Sequence, residues 1–275
     1  MIAPFEFTKS GLEIKKIVRE LYDVNLDGYH ELYLERRLAY YFQKHGIDKA
    51  SMIRDIIINK PKIAQELQKE LQITYTRLFR EPAFFRQVVK LIKTIQQKKG
   101  SVRIWHTGCS NGSEAYSLAI LLKESNLLGK CTIYATDINE KALSDAKKGV
   151  LSLKDVQNTL NDYHEAGGVQ HLSEYFTYTR ESSILKSSIL NQIQFAKHEL
   201  GHDHPFNEFD IIICRNMLIY YQNFHQQKLV DAMLNSLING GYIGLSNCES
   251  LIGIAETKLK LVDSGQNIYQ YFAHN

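Results

Sequence analysis

The apolar residues of this chain change their spacing near Gly100, and this change constrains the fold more than any other feature. From Lys9 to about Lys98, apolar positions recur with the spacing of one face of an α-helix. Pro61 and Pro82 fit first-turn positions, where the missing N–H of proline removes no helical hydrogen bond. The predicted helices are residues 9–23, 30–45, 48–59, 61–72 and 82–98. Residues 1–98 are therefore predicted to form an all-helical domain.

After Gly100, short apolar runs alternate with stretches of helical spacing. The predicted strands are residues 102–105, 132–135, 209–214 and 242–245, and the predicted helices are residues 114–126, 139–148 and 223–238. This alternation is typical of βαβ units, which build a mainly parallel sheet. An antiparallel pair is predicted at residues 258–262 and 267–272. Residues 99–275 are therefore predicted to form an α/β domain with a doubly wound sheet.

Residues 151–192 follow neither pattern. They contain two polar stretches, 158–168 and 179–191, with short apolar pieces between them. A connection of this length is excessive for a bare loop inside a compact domain. We therefore predict an insertion that has a small structure of its own.

A strand, a glycine turn and a helix follow one another in residues 102–122. Gly108 and Gly112 allow a ligand to approach the backbone at the carboxyl end of the first strand, where open α/β sheets bind ligands. The second strand ends at Asp137, 25 residues after Gly112, where a carboxylate can accept the hydroxyl protons of a ribose. Together these features predict a nucleoside site. The N-cap of the following helix is an alternative role for Asp137.

The spacing of the glycines favours one class of nucleoside ligand. A dinucleotide site has G-x-G-x-x-G with the pyrophosphate at the helix N-terminus, whereas this loop has three residues between Gly108 and Gly112. Glu114 lies in the first predicted helical turn, where its charge would repel a pyrophosphate. S-adenosylmethionine (SAM) carries a sulfonium and an ammonium group, which suit an acidic residue. The loop therefore favours SAM over a dinucleotide.

The same loop has the G-x-S-x-G pattern of serine hydrolases, with Ser110 at its centre. A hydrolase also needs a later acid, a later histidine and an upstream oxyanion loop. No H-G-G-like stretch precedes the motif. The hydrolase is therefore the weaker of the two interpretations.

Composition argues against several other classes of protein. The four cysteines are widely spaced without a C-x-x-C pair, so we predict neither a zinc knuckle nor a redox pair. His202 and His204 have no third ligand at a suitable spacing, and we predict no metal site. The net charge of +3 is too small to indicate nucleic acid as a partner. Basic residues nevertheless cluster between Arg77 and Arg103, where a solvated helix face is the simplest explanation.

The beginning of the chain, Met1–Lys9, lacks the basic segment and apolar run of a signal peptide. No segment approaches the roughly 18 apolar residues of a membrane span. We therefore expect a soluble cytoplasmic protein without membrane insertion.

Four separated segments resemble the CheR-type methyltransferases of chemotaxis receptors. Ile73–Glu81 resembles their N-x-T-x-F-F-R-E segment, and Arg103–Ser117 resembles R-x-W-x-x-x-x-S-x-G-E-E-x-Y-S. Tyr134–Gly149 is similar to their second-strand segment. Phe209–Tyr220 is close to F-D-x-I-x-C-R-N-V-x-I-Y-F, the most specific of the four patterns. The resemblance runs in order over nearly the whole chain.

This resemblance implies a SAM-dependent enzyme that forms methyl esters on glutamate side chains of a chemoreceptor or similar signalling protein, with S-adenosyl-L-homocysteine as its product. It implies an N-terminal helical domain that docks on the receptor and closes over the cofactor. A Rossmann-like methyltransferase sheet would follow, with a small β-subdomain inserted at about residues 151–192. The expected partner is an acidic helical region of the receptor.

The resemblance also assigns site residues by position. Arg80 and Tyr220 are expected to face the methyl group as the catalytic residues. The residues expected to contact the cofactor are Thr74, Thr76, Arg80, Gly108, Gly112, Glu114, Asp137, Glu199, Leu200, Arg215 and Asn216.

Several positions depart from the family pattern. Thr74 stands where asparagine is usual, and Ser113 replaces the first glutamate of G-E-E. Glu199 lies near the position where an asparagine precedes Leu200, and Cys248–Leu251 only partly keeps an S-E-N-F segment. Two alternatives therefore stay open. One is a non-catalytic SAM-binding signalling module, and the other is a methyltransferase for RNA or a small molecule, which the basic cluster motivates.

Overall fold

A computed structural model describes residues 15–17, 19–20, 26, 28–47, 55, 59, 66–67, 76–251, 253, 255 and 257–273. The helices labelled below are α1 (Glu31–His45), α2 (Pro82–Lys99), α3 (Ser113–Glu124), α4 (Glu140–Lys148), α5 (Leu153–Gln157), α6 (Leu160–Glu165), α7 (Ser187–Leu190) and α8 (Asn223–Leu234). The strands are β1 (Val102–Thr107), β2 (Cys131–Asp137), β3 (Val150–Ser152), β4 (Phe176–Tyr178), β5 (Ser182–Leu185), β6 (Ile193–Lys197), β7 (Phe209–Ile213), β8 (Leu237–Gly244), β9 (Leu259–Asp263) and β10 (Ile268–Tyr271).

The chain divides into two compact units. The first comprises Met1–Thr74 and Tyr220–His225, and the second comprises Tyr75–Ile219 and Gln226–Asn275. The second unit includes α2, which the apolar spacing grouped with the N-terminal helices. The functional division into a docking and closing domain over residues 1–98 and a SAM-binding domain over residues 99–275 stays a prediction.

The helix α1 of the first unit confirms the helix predicted over residues 30–45. It ends at Gly46, which adopts the left-handed conformation at φ 61° and donates its N–H to carbonyls of the last turn. One apolar stripe of α1 is buried: Leu34, Leu38, Tyr41 and Phe42. The predicted helices 48–59 and 61–72 lie almost wholly outside the described residues, and the helix 9–23 lies partly outside them.

The second unit is built on a seven-stranded sheet in the order β6-β2-β1-β7-β8-β10-β9. The pairs from β6 to β8 are parallel, and β10 is antiparallel to both β8 and β9. This arrangement confirms the α/β class and the predicted antiparallel pair. The carboxyl ends of β1, β2 and β7 therefore meet at one edge of the sheet, where ligands bind in open α/β folds.

Two elements of this sheet differ from the sequence-based expectation. The helix predicted over residues 223–238 ends at Leu234, because Leu237 pairs with Phe209 and begins β8. Sheet pairing here overrides a helical spacing of apolar residues. The sequence-based prediction does not include the edge strand β6, in which the polar Gln194 separates Ile193 from Phe195.

The predicted insertion contains a separate antiparallel sheet of three strands in the order β3-β5-β4. The carboxylate of Glu124, the last residue of α3, accepts hydrogen bonds from the hydroxyl groups of Tyr163 and Tyr175 and from the N–H of Val169 at 2.9 Å. Both tyrosine rings are buried. This one carboxylate therefore fastens the insertion to a helix of the large sheet.

We predict that Glu124→Ala lowers the free energy of unfolding by about 2–3 kcal/mol, because the Tyr175 hydroxyl and the Val169 N–H lose their acceptor and the Tyr163 hydroxyl keeps only the carbonyl of Gln170. Lys123→Ala, at the exposed neighbouring position of α3, is the matched control and should change stability by less than about 0.5 kcal/mol. Urea denaturation monitored by tyrosine fluorescence measures both variants. Equal stability of the two variants would contradict the role of Glu124.

Candidate active site

The turn between β1 and α3 confirms the geometry predicted for the glycine loop. Gly108 and Gly112 have φ angles of 66° and 84°, and Ser110 has a φ of 52°. A Cβ atom at Gly112 would lie 2.7 Å from the Tyr116 ring, and one at Gly108 would lie 3.1 Å from the Met217 sulfur. Both positions therefore need glycine, and Gly108 leaves its backbone exposed.

The structure argues against the hydrolase interpretation of this turn. A hydrolase nucleophile presents its hydroxyl at the exposed top of a strand-to-helix turn. Ser110 is buried, with 7% of its surface exposed. Its backbone N–H instead donates to Asp137, so the residue belongs to the framework of the loop.

Asp137 lies at the carboxyl end of β2 and joins two loops. One carboxylate oxygen accepts the N–H of Ser110 at 2.7 Å, and the other accepts the N–H of Asn139 at 2.8 Å. Burial raises the pKa of the Asp137 carboxyl, and the backbone donors oppose that rise. The N–H of Ile138 also donates to this carboxylate, which keeps a further lone pair that can accept a ligand hydroxyl. The helix N-cap role considered for Asp137 is wrong, because the Asn139 side chain caps α4 by accepting the N–H of Ala142.

Arg215 follows β7 and connects two carboxylates at the same edge of the sheet. Its side chain is fully buried, with one guanidinium nitrogen 3.0 Å from Glu81 and another 2.5 Å from Glu114. It also donates to the carbonyl of Arg80 at 2.9 Å. The guanidinium carbon lies 4.3 Å from the centre of the Phe84 ring, a cation–π distance. Arg215 therefore fixes the turn before α2 against the start of α3.

Glu114 is held on both of its carboxylate oxygens. One oxygen contacts Arg215, and the other lies 3.4 Å from Nδ1 of His106. Burial acts to raise the pKa of the Glu114 carboxyl, but Arg215 and His106 outweigh burial and lower the pKa below its usual value. Glu114 therefore stays ionised at neutral pH.

The loop after β7 is organised by a residue that the sequence did not single out. Glu249, which is 5% exposed, accepts the N–H groups of Asn216, Met217 and Leu218 at 2.7–2.8 Å. The N–H and the hydroxyl of Ser246 also donate hydrogen bonds to Glu249. Asn216 takes a φ of 56° in this loop. The only sequence signal for Glu249 was its place in Cys248–Leu251, the segment that partly keeps the S-E-N-F pattern of the family.

Other predicted residues lie in different surroundings. Thr74 is outside the described residues, and Thr76 is half-buried. The side chain of Arg80 is 33% exposed, with Nε 3.8 Å from its neighbour Glu81. Glu199 and Leu200 lie in the loop after β6, where the N–H of Glu199 donates to Asp203 at 2.7 Å.

Tyr220 belongs to the first unit and not to the second. Its ring lies 5.0 Å from that of Tyr33, and its carbonyl accepts the N–H of His30 at 2.7 Å. The next residue, Tyr221, forms an antiparallel bridge with Tyr29. Within the first unit, Tyr220 is therefore held by the residues that precede and begin α1.

The described residues contain neither a candidate metal site nor a helix that could cross a membrane. None of their histidine, cysteine, aspartate and glutamate side chains form a group of three or more that could hold a metal ion. Among the helices of these residues, none has the length and apolar character of a membrane span.

The fold and this edge define a class of protein. A parallel sheet with a glycine turn after its first strand, an acid in the next helix and an acid at the end of its second strand is the arrangement of a nucleoside-binding α/β enzyme. The donor set fits SAM, since Glu114 supplies a partly buried anion, Asp137 supplies an acceptor for a hydroxyl group and Gly108 leaves its backbone exposed. The class is that of SAM-dependent methyltransferases.

Comparison with known proteins identifies the family. Residues 74–268 match the family described as "CheR methyltransferase, SAM binding domain". The chain is 30% identical to a Pseudomonas putida protein named "Putative methyltransferase Cher3", over 88% of this chain and 90% of that protein. It is 26% identical to a chemotaxis protein methyltransferase of Borreliella burgdorferi, over 86% of this chain and 87% of that protein. The chain belongs to the CheR methyltransferase family, and its cofactor is SAM.

Among solved structures, the N-methyltransferase NodS of Bradyrhizobium japonicum, in complex with S-adenosyl-L-homocysteine, is similar to this chain. The likeness has a TM-score of 0.37 and 15% identity, and it covers 68% of this chain and 87% of that one.

We predict that Asp137→Ala weakens SAM binding by about 10–100-fold, because the ribose would lose a charged acceptor whose hydrogen bonds contribute about 1.5–3 kcal/mol. The ligand-free variant should also lose about 1–3 kcal/mol of stability, since two backbone N–H groups lose their acceptor. Isothermal titration and urea denaturation separate the two effects.

The matched control for this prediction is Asp145→Ala, which removes an exposed carboxylate from α4. SAM affinity of that variant should equal that of the parent. A folded Asp137→Ala variant with parental SAM affinity would refute the ribose assignment.

Proposed function

We propose that this protein transfers the methyl group of SAM to glutamate side-chain carboxylates of a chemoreceptor or similar signalling protein, forming methyl esters. Curated relatives similar to this chain are named chemotaxis protein methyltransferases. The observation that carries the proposal is a partly exposed guanidinium, that of Arg80, on a main chain fixed by Arg215. We propose the cytoplasm as the site of action.

Methyl transfer to a carboxylate depends more on the positioning of the two reactants than on acid–base catalysis. SAM supplies an electrophilic methyl group on a sulfonium when it is bound. A glutamate carboxylate is ionised at neutral pH and needs no base to activate it. In the transfer, a carbon–oxygen bond forms as the carbon–sulfur bond breaks, and no proton moves. Holding the reactants in line can supply about 7–11 kcal/mol of the barrier.

Arg80 is suited to orient the substrate carboxylate. The neighbouring acid Glu81 is already bound by the buried guanidinium of Arg215 at 3.0 Å, whereas the Arg80 guanidinium is 3.8 Å from it. A guanidinium can form two parallel hydrogen bonds with a carboxylate. Arg80 therefore keeps its charge available for a second carboxylate, which would be that of the substrate glutamate.

Tyr220 is proposed as the second residue that faces the methyl group. The backbone of its segment is fixed within the first unit by His30 and by the bridge between Tyr29 and Tyr221. The role of Tyr220 in the reaction and the cofactor contacts of Thr74, Thr76, Glu199 and Leu200 follow from the family resemblance.

We predict that Arg80→Ala lowers the single-turnover rate of methyl transfer by about 100-fold and weakens SAM binding by less than about threefold, because the interaction is made mainly in the transition state. Arg86→Ala is the matched control, since Arg86 is exposed on α2 and bonds to the carbonyl of Glu165. Its rate should remain within about twofold of the parent. An equal loss of rate and of SAM affinity in Arg80→Ala would make Arg80 a cofactor ligand instead.

The reaction itself is tested with SAM labelled on its methyl group and receptor-containing membranes. A methyl ester on glutamate releases labelled methanol in mild base, whereas a methyl group on nitrogen does not. Base-labile label in receptor supports the proposal. SAM binding without transfer to receptor would favour the non-catalytic signalling module, which the departures at Thr74, Ser113 and Glu199 motivate.

We propose that the exposed face of α1 contacts the acidic helices of the receptor. Arg36 is exposed on this helix, on the side away from its buried stripe. Arg37 instead lies over the Tyr33 ring at 5.7 Å, and Lys44 is 3.3 Å from Glu66. A charge reversal at Arg36 therefore tests the surface charge alone, whereas one at Arg37 would also disturb packing within the unit.

We predict that Arg36→Glu slows methylation of receptor about tenfold at low salt and much less at high salt, because reversed charge opposes an electrostatically steered encounter. Lys90→Glu, which makes the same charge change on the exposed face of α2, is the matched control. SAM affinity should be unchanged in both variants. Parental rates for Arg36→Glu across the whole salt range would show that α1 does not guide the encounter.

A further inference from the structure

We propose that His106 is a positioning residue that orients the carboxylate of Glu114 for SAM. The proposal rests on Glu114 as a cofactor contact and adds a residue that the family resemblance does not assign. His106 is the second-last residue of β1, and Glu114 lies in the first turn of α3.

The two side chains meet inside the second unit. The His106 side chain is 1% exposed, and its Nδ1 lies 3.4 Å from one carboxylate oxygen of Glu114. The other carboxylate oxygen contacts Arg215 at 2.5 Å. One donor from β1 and one from the loop after β7 therefore hold the two oxygens of one carboxylate.

Packing alone does not explain an imidazole at this position. The residues beside His106 in the sheet are Ala135 and Ile213, both fully buried. Nε2 of His106 is buried and has no hydrogen-bond partner among the described residues. A buried polar atom without a partner destabilises a fold, so an aliphatic side chain would suit this position better. Within the described part of the chain, the one polar contact of the imidazole is that with Glu114.

The contact also determines which ring nitrogen of His106 carries a hydrogen. Glu114 is ionised, so the ring nitrogen that faces it must carry a hydrogen and act as a donor. A carboxylate with a donor on each oxygen cannot rotate freely, and its remaining lone pairs point in a fixed direction. A ligand cation then binds without the cost of ordering that side chain.

A double-mutant cycle tests this arrangement by isothermal titration of SAM. The variants are His106→Leu, His106→Asn, Glu114→Gln and the double variant His106→Leu with Glu114→Gln. Asparagine places an amide N–H near the position of Nδ1, whereas leucine fills similar space without a donor. Thermal unfolding of each ligand-free variant reports whether the fold is kept.

The expected result is a loss of SAM affinity of about tenfold in His106→Leu, the change that corresponds to about 1.4 kcal/mol. His106→Asn should stay within about threefold of the parent. In the Glu114→Gln background, His106→Leu should change affinity by less than about twofold, because the positioning acts only through the carboxylate. A purely structural role would lower the unfolding temperature in both histidine variants without this pattern of affinities.

Three results would overturn the proposal: parental affinity in His106→Leu, equal losses in His106→Leu and His106→Asn, or additive losses in the double variant. Parental affinity in Glu114→Gln would instead remove Glu114 from the cofactor site, and the role of His106 with it. Cofactor titration needs no protein substrate, so these results are independent of whether glutamate is the methyl acceptor.

Discussion

The buried guanidinium of Arg215 is the interaction on which the edge of the sheet depends. It lies between two carboxylates from separate parts of the chain, Glu81 before α2 and Glu114 in α3, and it stacks on Phe84. Without this cation, two acidic side chains would share a poorly solvated region, and breaking such a buried pair costs about 3–5 kcal/mol. The same contacts give the turn at Arg80 its conformation, so the charge network shapes the region where methyl transfer is proposed.

Much of the site was readable in the sequence because its signals are local. The turn with Gly108 and Gly112, and Asp137 at the end of β2, follow from short-range rules about strands, turns and helices. The pairing of Arg215 with Glu81 joins residues far apart in the chain, and no periodicity reports such a partner. The sequence does not single out Glu249 for the same reason, since three of its four backbone partners belong to another loop.

The fold shows a similar division between local and distant information. Helices α1 and α2 were predicted closely because an amphipathic stripe or an N-terminal proline marks them. The strands of the insertion were not, since each has only three or four residues and pairs across polar connections. At the start of β8, the apolar residues have helical spacing, but Leu237 pairs with Phe209 and the segment forms a strand.

The segment Tyr220–His225 has a consequence for how the protein is made. It belongs to the first unit, although some 145 residues of the second unit separate it from Thr74, the last residue of the N-terminal part. The chain thus passes between the units three times, at residues 74–75, 219–220 and 225–226. On a ribosome, the N-terminal part cannot acquire its last segment until residue 225 has emerged. Completion of the first unit therefore has to wait for most of the second to be synthesised.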